Sequence, residues 1–307
     1  MTILSPRRSA GGPHRRHEVV SGGVSTQDAN RVVGGSQGEL PADLPATPGS
    51  VPEEVFGFDA ERAIEPPREI HVDRLCAPGI ERVFLRDDRR PVRETGAVPW
   101  RQICWLEMEF PGGRRMYGSG ALIGPRAVAT AGHCVKYPGL GWAERIHVAP
   151  GALSAVSLPY GRFTSERDYT TTQHWSEKHL PGYDYAVIRL PERVGDTLGY
   201  MSFASLASGE LEACCVNCAG YPTDKEPGTL WWDSNVVARL SRTRLYYKID
   251  THAGQSGAPV WKYDPDAGRR VIVGVHTADV DTANAAVRVN RYVVENLRNW
   301  GELGGVA

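Results

Sequence analysis

Residues 250–260 read Asp-Thr-His-Ala-Gly-Gln-Ser-Gly-Ala-Pro-Val, which places Ser256 inside a glycine-rich turn. A serine hydroxyl is a weak nucleophile at neutral pH and needs a base within hydrogen-bond reach. Gly254 and Gly257 would let the chain turn tightly, so that the N–H groups of Gly254 and Ser256 converge on one oxygen atom. The stretch therefore predicts a nucleophile with its own anion-binding turn, and the alternative is a hairpin without chemistry.

Two earlier segments could supply the partners of this serine. One ends in Thr-Ala-Gly-His133-Cys134 after a buried-looking strand, and the other, Tyr183-Asp184-Tyr-Ala-Val-Ile, puts a carboxylate directly before a buried strand. A neutral imidazole, with an ordinary pKa of about 6.5, can take the serine proton, and a carboxylate can hold its other nitrogen. We therefore predict His133 as the base and Asp184 as its orienting acid. The alternatives are a core histidine and a carboxylate that only caps or pairs at a strand start.

In the order His, Asp, Ser, these segments resemble those of the chymotrypsin-like serine proteases. The closer resemblance is to the bacterial glutamyl endopeptidases, and it extends over most of residues 83–300. Further segments that carry it are Val83-Phe-Leu-Arg-Asp-Asp-Arg89, Gly220-Tyr-Pro-Thr-Asp-Lys225, and Val275-His276-Thr277 with Asn296-Leu-Arg-Asn-Trp300.

The resemblance implies an all-β fold of two six-stranded antiparallel barrels. His133 and Asp184 would come from the first barrel and Ser256 from the second, with a cleft between them. The sequence itself favours many short strands, predicted at 103–110, 117–124, 127–131, 145–149, 185–190, 216–220, 234–240, 245–249, 271–276 and 286–289. Only the end looks helical, since Asn290 can cap an amphipathic helix from about Arg291 to Trp300.

The resemblance also implies a recognition site for a glutamate side chain before the scissile bond. The family uses a histidine on the strand after the nucleophile, a threonine five residues before the serine and the mature α-amino group. These positions are His276, Thr251 and Val83. Donors and positive charge would offset the cost of burying the substrate carboxylate. The alternative is a preference for basic residues through Asp250, which lies six residues before Ser256.

Two positions depart from the patterns of these enzymes. Gln255 stands where trypsin-like enzymes carry an aspartate that pairs with the freed amino terminus, so that ion pair is not available. Ala253 replaces a glycine that is usual in the family, and its methyl group would either crowd the substrate backbone or have no effect.

The chain divides into a flexible leader or pro-segment, residues 1–82, and a trypsin-like serine protease domain, residues 83–307. Residues 1–55 contain no Phe, Tyr or Trp, so they cannot bury enough apolar area to offset the entropy of ordering. Removal of the leader would create an ammonium group at Val83. The sequence Arg31-Val-Val-Gly-Gly35 resembles a trypsin activation site, but it lies about fifty residues too early.

Composition excludes several other classes of protein. The chain has 307 residues, 41% of them hydrophobic, and a net charge of -1, so it lacks the basic excess that nucleic acid or anionic membranes attract. We expect no nucleic-acid or membrane partner. The first 23 residues carry four arginines without an apolar run behind them, so no secretory signal is recognisable. Extracellular localisation follows only from the resemblance.

Six cysteines permit disulfides without dictating their pairing. In the clan, the residue at Cys134 often forms a bridge across the first barrel; Cys104 is the nearest candidate, and the usual partner position holds Ser119. Cys215 and Cys218 could form a redox pair, half a zinc site, a short-loop disulfide or free thiols, and no second ligand pair follows them. We expect no metal and no cofactor.

The sequence therefore predicts a monomeric serine endopeptidase that forms an acyl-enzyme on Ser256 and prefers Glu or Asp before the scissile bond. Its partners would be protein or peptide substrates and an activating protease. The alternatives are a trypsin-like protease with basic specificity through Asp250 and a non-catalytic binding module on a protease fold.

Overall fold

The computed structural model describes residues 87–265, 268–280 and 283–303, together with the backbone of three short strands. These strands are Ile3–Ser5 (β1), His17–Val19 (β2) and Phe56–Phe58 (β3), and β1 pairs with β2. The predicted leader, residues 1–82, otherwise lies outside the described residues, and so does Val83.

The first barrel is a seven-stranded antiparallel sheet whose strands are short and rich in buried apolar residues. The strands of this half of the chain are Arg90–Pro91 (β4), Ile103–Phe110 (β5), Arg114–Leu122 (β6), Ala127–Thr130 (β7), Lys136–Tyr137 (β8), Gly141–Trp142 (β9), Arg145–Pro150 (β10), Phe163–Ser165 (β11), Tyr169–Thr171 (β12) and Ala186–Arg189 (β13). The sheet order is β11-β10-β5-β6-β7-β13-β12. Leu106, Phe110, Ile146 and Ile188 are fully buried inside it, so apolar burial supplies the main driving force for this half.

The second barrel closes on itself. Its half of the chain contains Tyr200–Phe203 (β14), Cys215–Gly220 (β15), Trp231–Leu240 (β16), Arg244–Tyr247 (β17), Pro259–Asp264 (β18), Arg269–Val280 (β19) and Ala283–Arg288 (β20). Six strands in the order β18-β15-β16-β17-β20-β19 form a ring because β18 also pairs with β19. Strand β14 joins β19 in parallel and pairs with β3, while β4 pairs with β16. The segment that follows residue 87 is therefore part of the second barrel.

Helices are few and mostly short. The α-helices are Gly132–Val135 (α1), Gln173–Lys178 (α2), Val194–Leu198 (α3), Ser208–Leu211 (α4) and Arg291–Gly301 (α5), and the 3₁₀ helices are Trp100–Gln102, Pro111–Gly113 and Pro181–Tyr183. The Asn290 side chain caps α5 by accepting from the N–H groups of Tyr292 and Val293. Helix α5 packs back on the first barrel, where Trp300 stacks on Tyr185. Within the described ranges, no helix combines the length and apolar character needed to cross a bilayer.

The predicted all-β architecture of two barrels with a C-terminal helix is confirmed. One barrel is a closed ring, whereas no backbone pairing joins the two end strands of the first sheet in the described part of the chain. From β4 onward, the strands that were not predicted are the short strands β4, β8, β9, β11 and β12, together with β14 and β18. Strand β18 begins at Pro259, a position where the missing N–H of proline is tolerated, but the sequence there looks like a continuation of the turn around Ser256.

Candidate active site

Asp184 holds His133 by two contacts. Its Oδ1 accepts the backbone N–H of His133 at 2.8 Å, and its Oδ2 lies 2.8 Å from Nδ1 of the ring. Asp184 is only 4% exposed. A carboxylate accepts but does not donate when ionised, so Nδ1 carries a proton and Nε2 is left as an acceptor. The pair therefore presents a base in one tautomer and one orientation.

The local sequence explains why this contact can form. His133 lies in α1, directly after β7 delivers the chain, and Gly132 precedes it. A Cβ atom on Gly132 would lie 2.6 Å from the ring of Trp175 and 2.9 Å from Asp184 Oδ1. Only glycine therefore lets the chain pass close enough for Asp184 to reach both groups of His133.

The pKa of His133 is raised above its ordinary value. Burial acts to lower it, but the charge of Asp184 and the hydrogen bond to Asp184 together outweigh burial. The ring is thus a stronger base than a free imidazole, which suits proton abstraction from a hydroxyl group near neutral pH.

Ser256 lies in the turn that leads into β18, next to the segment that carries His133. The Ser256 carbonyl oxygen accepts from the N–H of Ser119 at 2.8 Å, and the Cys134 thiol lies 3.7 Å from the same oxygen. Because Cys134 directly follows His133, the two segments run beside each other. In the described residues, the Ser256 hydroxyl makes no hydrogen bond to the His133 ring. Such contacts are often long before a substrate binds.

Two backbone N–H groups of this turn are unoccupied. The carbonyl of Ala253 accepts from the N–H of Thr223 at 2.8 Å and from its hydroxyl at 2.9 Å, and the carbonyl of Gln255 accepts from the N–H of Ala258 at 2.9 Å. In a trans peptide the N–H points away from the carbonyl, so the N–H groups of Gly254 and Ser256 point away from these donors. Neither N–H donates a hydrogen bond within the described chain, and both are free to bind an oxygen.

Positive φ angles make the glycines of this turn necessary. Gly254 has φ +96° and Gly257 has φ +87°. A Cβ atom on Gly257 would lie 2.2 Å from both the Ser119 carbonyl oxygen and the Thr130 hydroxyl. The turn around Ser256 is therefore pressed directly against the first barrel.

We expect Gly257→Ala to lower the free energy of unfolding by about 2–4 kcal/mol, because it adds a steric clash to a strained backbone. The measurement is urea denaturation. Gly139→Ala is the matched control, since Gly139 also has a positive φ, +80°, but nothing lies within 4 Å of its added Cβ. We expect this control to cost about 1 kcal/mol. Equal losses in the two variants would contradict the close packing at Gly257.

Ser119 supports the same turn, a role that the sequence did not reveal. Its hydroxyl donates to the carbonyl of Gly254 at 2.8 Å and accepts from the N–H of Tyr221 at 2.9 Å. The only sequence signal was the resemblance, which implies that Ser119 stands at the usual position of a bridging partner of Cys134. The possible bridge from Cys134 to Cys104 is not formed, because both are free thiols. Burial raises the pKa of Cys134 to about 12, which keeps it a neutral thiol.

The remaining cysteines and the possible metal ligands are considered only where the structure describes them. No disulfide joins Cys214, Cys215 or Cys218 to another described cysteine, and Cys76 lies outside the described residues. Over the described ranges, no three His, Cys, Asp or Glu side chains lie together in positions that could hold a metal ion.

His276 lies immediately behind the nucleophile turn. Its carbonyl accepts from the N–H of Gly257 at 2.7 Å, and its own N–H donates to Ala258 at 2.9 Å. Its Nδ1 lies 2.7 Å from the hydroxyl of Tyr247, a contact that the sequence did not predict. Burial lowers the pKa of His276 to about 3, and the charges of His133 and Arg244 act in the same direction. His276 is thus a neutral ring close to the other residues of the site.

The other predicted recognition residues are Thr251 and Val83, and Asp250 belongs to the alternative with basic specificity. Thr251 is half-buried at the start of the turn, and Val83 lies outside the described residues. The Asp250 carboxylate is half-buried, and its Oδ2 accepts the N–H of Asp88 at 3.0 Å. Asp250 is therefore engaged by the segment that enters the second barrel.

Comparisons with known proteins find similar peptidases by sequence and by structure. A family model described as a trypsin-like peptidase domain matches residues 118–275, a span that includes His133, Asp184 and Ser256. The glutamyl endopeptidase of Bacillus licheniformis is 35% identical over 230 residues, which cover 72% of this chain and 69% of that protein. A Bacillus subtilis protein named extracellular metalloprotease is 33% identical over 215 residues, which cover 70% and 68%. A Glu endopeptidase solved in complex with MPD has a TM-score of 0.61 and 27% identity, covering 70% of this chain and 96% of that one.

Proposed function

Because the chain belongs to the trypsin-like peptidase family, and is therefore a serine protease, we propose that it forms an acyl-enzyme at Ser256 and cuts peptide bonds after glutamate or aspartate. The observation that carries this proposal is the two-point contact of Asp184 with His133 beside a turn that offers two free N–H groups around Ser256.

The proposed mechanism uses the same groups in acylation and in deacylation. His133 Nε2 takes the proton of Ser256 as the hydroxyl oxygen attacks the substrate carbonyl carbon. Negative charge then develops on the carbonyl oxygen, where the N–H groups of Gly254 and Ser256 bind it. The imidazolium, stabilised by Asp184, gives its proton to the leaving amine as the peptide bond breaks. A water molecule then attacks the acyl group in the same way and releases Ser256.

The proposed preference for glutamate rests on His276. With the Tyr247 hydroxyl donating a hydrogen bond to Nδ1, the neutral His276 ring carries its proton on Nε2. That N–H would donate to the substrate carboxylate, aided by the hydroxyl of Thr251. Arg244 supports the proposal further: its charge acts on His276, and its Nε and Nη2 are buried without a hydrogen-bond partner among the described residues.

The remaining elements of the proposal concern activation and location. We propose that another protease cuts after Arg82, so that the new ammonium at Val83 adds positive charge to the glutamate site. Secretion is proposed because one relative is named as an extracellular protein, and the natural substrates would then be proteins or peptides outside the cell. The enzyme would act as a monomer.

Specificity is tested with four peptides that differ only in Glu, Asp, Lys or Arg before the cut. We expect kcat/KM for Glu to exceed that for Lys and Arg by about 100-fold or more, because a buried hydrogen bond to a charged group contributes about 1.5–3 kcal/mol. His276→Leu should remove most of this preference while a substrate with Gln at the same position is hydrolysed about as well as before.

Other outcomes would point to the alternatives. A preference for Lys or Arg would refute the role of His276 and favour basic specificity through Asp250. Failure to hydrolyse any of the peptides after removal of residues 1–82 would favour a non-catalytic binding module.

A further inference from the structure

The turn that carries Ser256 lacks the ion pair that holds it in trypsin-like enzymes, because Gln255 is neutral. Gln255 is nevertheless buried, with 1% exposure, and both its backbone and its side chain bond to His252 across the turn. Its backbone N–H donates to the carbonyl of His252 at 3.0 Å, and its Oε1 accepts the N–H of His252 at 3.0 Å. The direction of the Gly254 N–H depends on this closed turn, since Gly254 lies between the two residues.

An arginine from the amino-terminal segment reaches the same side chain. Nη1 of Arg89 donates to Gln255 Oε1 at 3.2 Å. Nε and Nη2 of Arg89 each donate to the Asp87 carboxylate at 2.9 Å. Nη1 and Nη2 also donate to the Asp224 carboxylate, at 3.1 Å and 2.5 Å. The Arg89 side chain is only 5% exposed. A buried cation thus donates to two partly exposed carboxylates and to one amide oxygen.

We propose that Arg89 is a positioning residue that replaces the missing ion pair, holding Gln255 and with it the two N–H groups that bind the oxyanion. This inference rests on the proposed function. Arg89 itself does not touch the substrate or the reacting atoms, and it acts through Gln255.

The chemistry of the guanidinium suits this task. Its planar fork donates in several fixed directions at once, so one side chain can bind two carboxylates and still reach Gln255. Burying the cation is offset because Asp87 and Asp224 are ionised beside it, and Arg89 lowers the pKa of both. Lys225 adds a further contact to Asp87 at 2.6 Å.

The loop that binds Arg89 also orients the oxyanion turn. Thr223 holds the Ala253 carbonyl, and its neighbour Asp224 holds Arg89. Ala253 is therefore held by Thr223 directly, and Gln255 is held by Asp224 through Arg89. All of these contacts lie among residues 87–255, so none of them involves a free amino terminus.

Arg89→Met removes the charge and the donors but keeps much of the volume. We expect kcat to fall about 10–100-fold with KM changed less than about threefold, because the two N–H groups act mainly at the transition state. The affinity for a peptide aldehyde, whose adduct places an oxygen between those groups, should fall by the same factor as kcat/KM. Arg90→Met is the matched control, since Arg90 is the exposed neighbour, and we expect wild-type values.

All proteins are prepared as the full chain and activated in the same way, and thermal melts report whether each variant folds. Gln255→Met removes the oxygen that accepts from Arg89. This variant replaces Arg89→Met in the test if Arg89→Met fails to fold. We expect a similar loss of kcat in Gln255→Met. The kcat of the double variant should lie within about threefold of the kcat of the less active single variant.

Three results would overturn the proposal: a folded Arg89→Met enzyme with wild-type kcat, a rise in KM at constant kcat, or losses in the double variant that multiply. Each leaves the proposed function intact, because the wild-type enzyme remains active in all of them. An inactive wild-type chain would instead refute the proposed function.

Discussion

Ser256→Ala is expected to lower kcat about 10⁵–10⁶-fold while KM stays within a few-fold of the wild-type value. Without the hydroxyl there is no nucleophile, and the binding groups and free N–H groups retain only a small residual rate. The methyl side chain fits where the hydroxyl was, so the turn should keep its shape. The measurement is the initial rate with a peptide that has Glu before the cut.

Ser208→Ala is the control for this experiment, because Ser208 begins α4 on the second barrel and takes no part in the site. We expect it to leave kcat within about twofold of the wild type. A Ser256→Ala enzyme that kept more than a tenth of the activity would show that another residue is the nucleophile.

Asp184→Asn is expected to lower kcat about 10⁴-fold, since an amide can donate to Nδ1 and so leaves Nε2 protonated, the wrong tautomer for a base. The pH profile should also change. Asp184 raises the pKa of His133, and the base must be neutral, so kcat/KM of the wild type should rise with pH through a value above about 6.5. Without the Asp184 carboxylate, burial still lowers the pKa of His133, so the rise of kcat/KM with pH should occur at lower pH.

Asp168→Asn is the matched control for Asp184→Asn. Asp168 also lies before a strand of the first barrel, but its carboxylate pairs with Arg189. We expect a modest loss of stability and kcat within about threefold of the wild type. If the two variants exchanged these effects, the assignment of Asp184 would be wrong.

The fold and the main segments of the site could be predicted because each depends on a local pattern. Six of the eight residues of strand β5, 103–110, are apolar, and its predicted bounds match the observed ones. The glycines around Ser256 indicated a tight turn, and the positive φ angles of Gly254 and Gly257 have the same cause. Helix α5 begins after the predicted cap, Asn290.

The parts that could not be predicted depend on contacts between residues far apart in sequence. Arg89 and Gln255 are separated by 166 positions, and nothing in either local sequence indicates that they meet. The same holds for Ser119, whose hydroxyl joins Gly254 to Tyr221, and for Tyr247 beside His276. Hydroxyl and amide groups have no periodic signal, because their position depends on how the two barrels pack.

The central claim is that Ser256 is a nucleophile activated by His133, and it is tested most directly by covalent labelling with diisopropyl fluorophosphate. We expect the activated enzyme to gain one diisopropylphosphoryl group, located at Ser256 by peptide mapping, and to lose activity in proportion. A His133→Ala variant should not be labelled. An enzyme that hydrolyses peptides but remains unlabelled, or is labelled at a different residue with loss of activity, would contradict the claim.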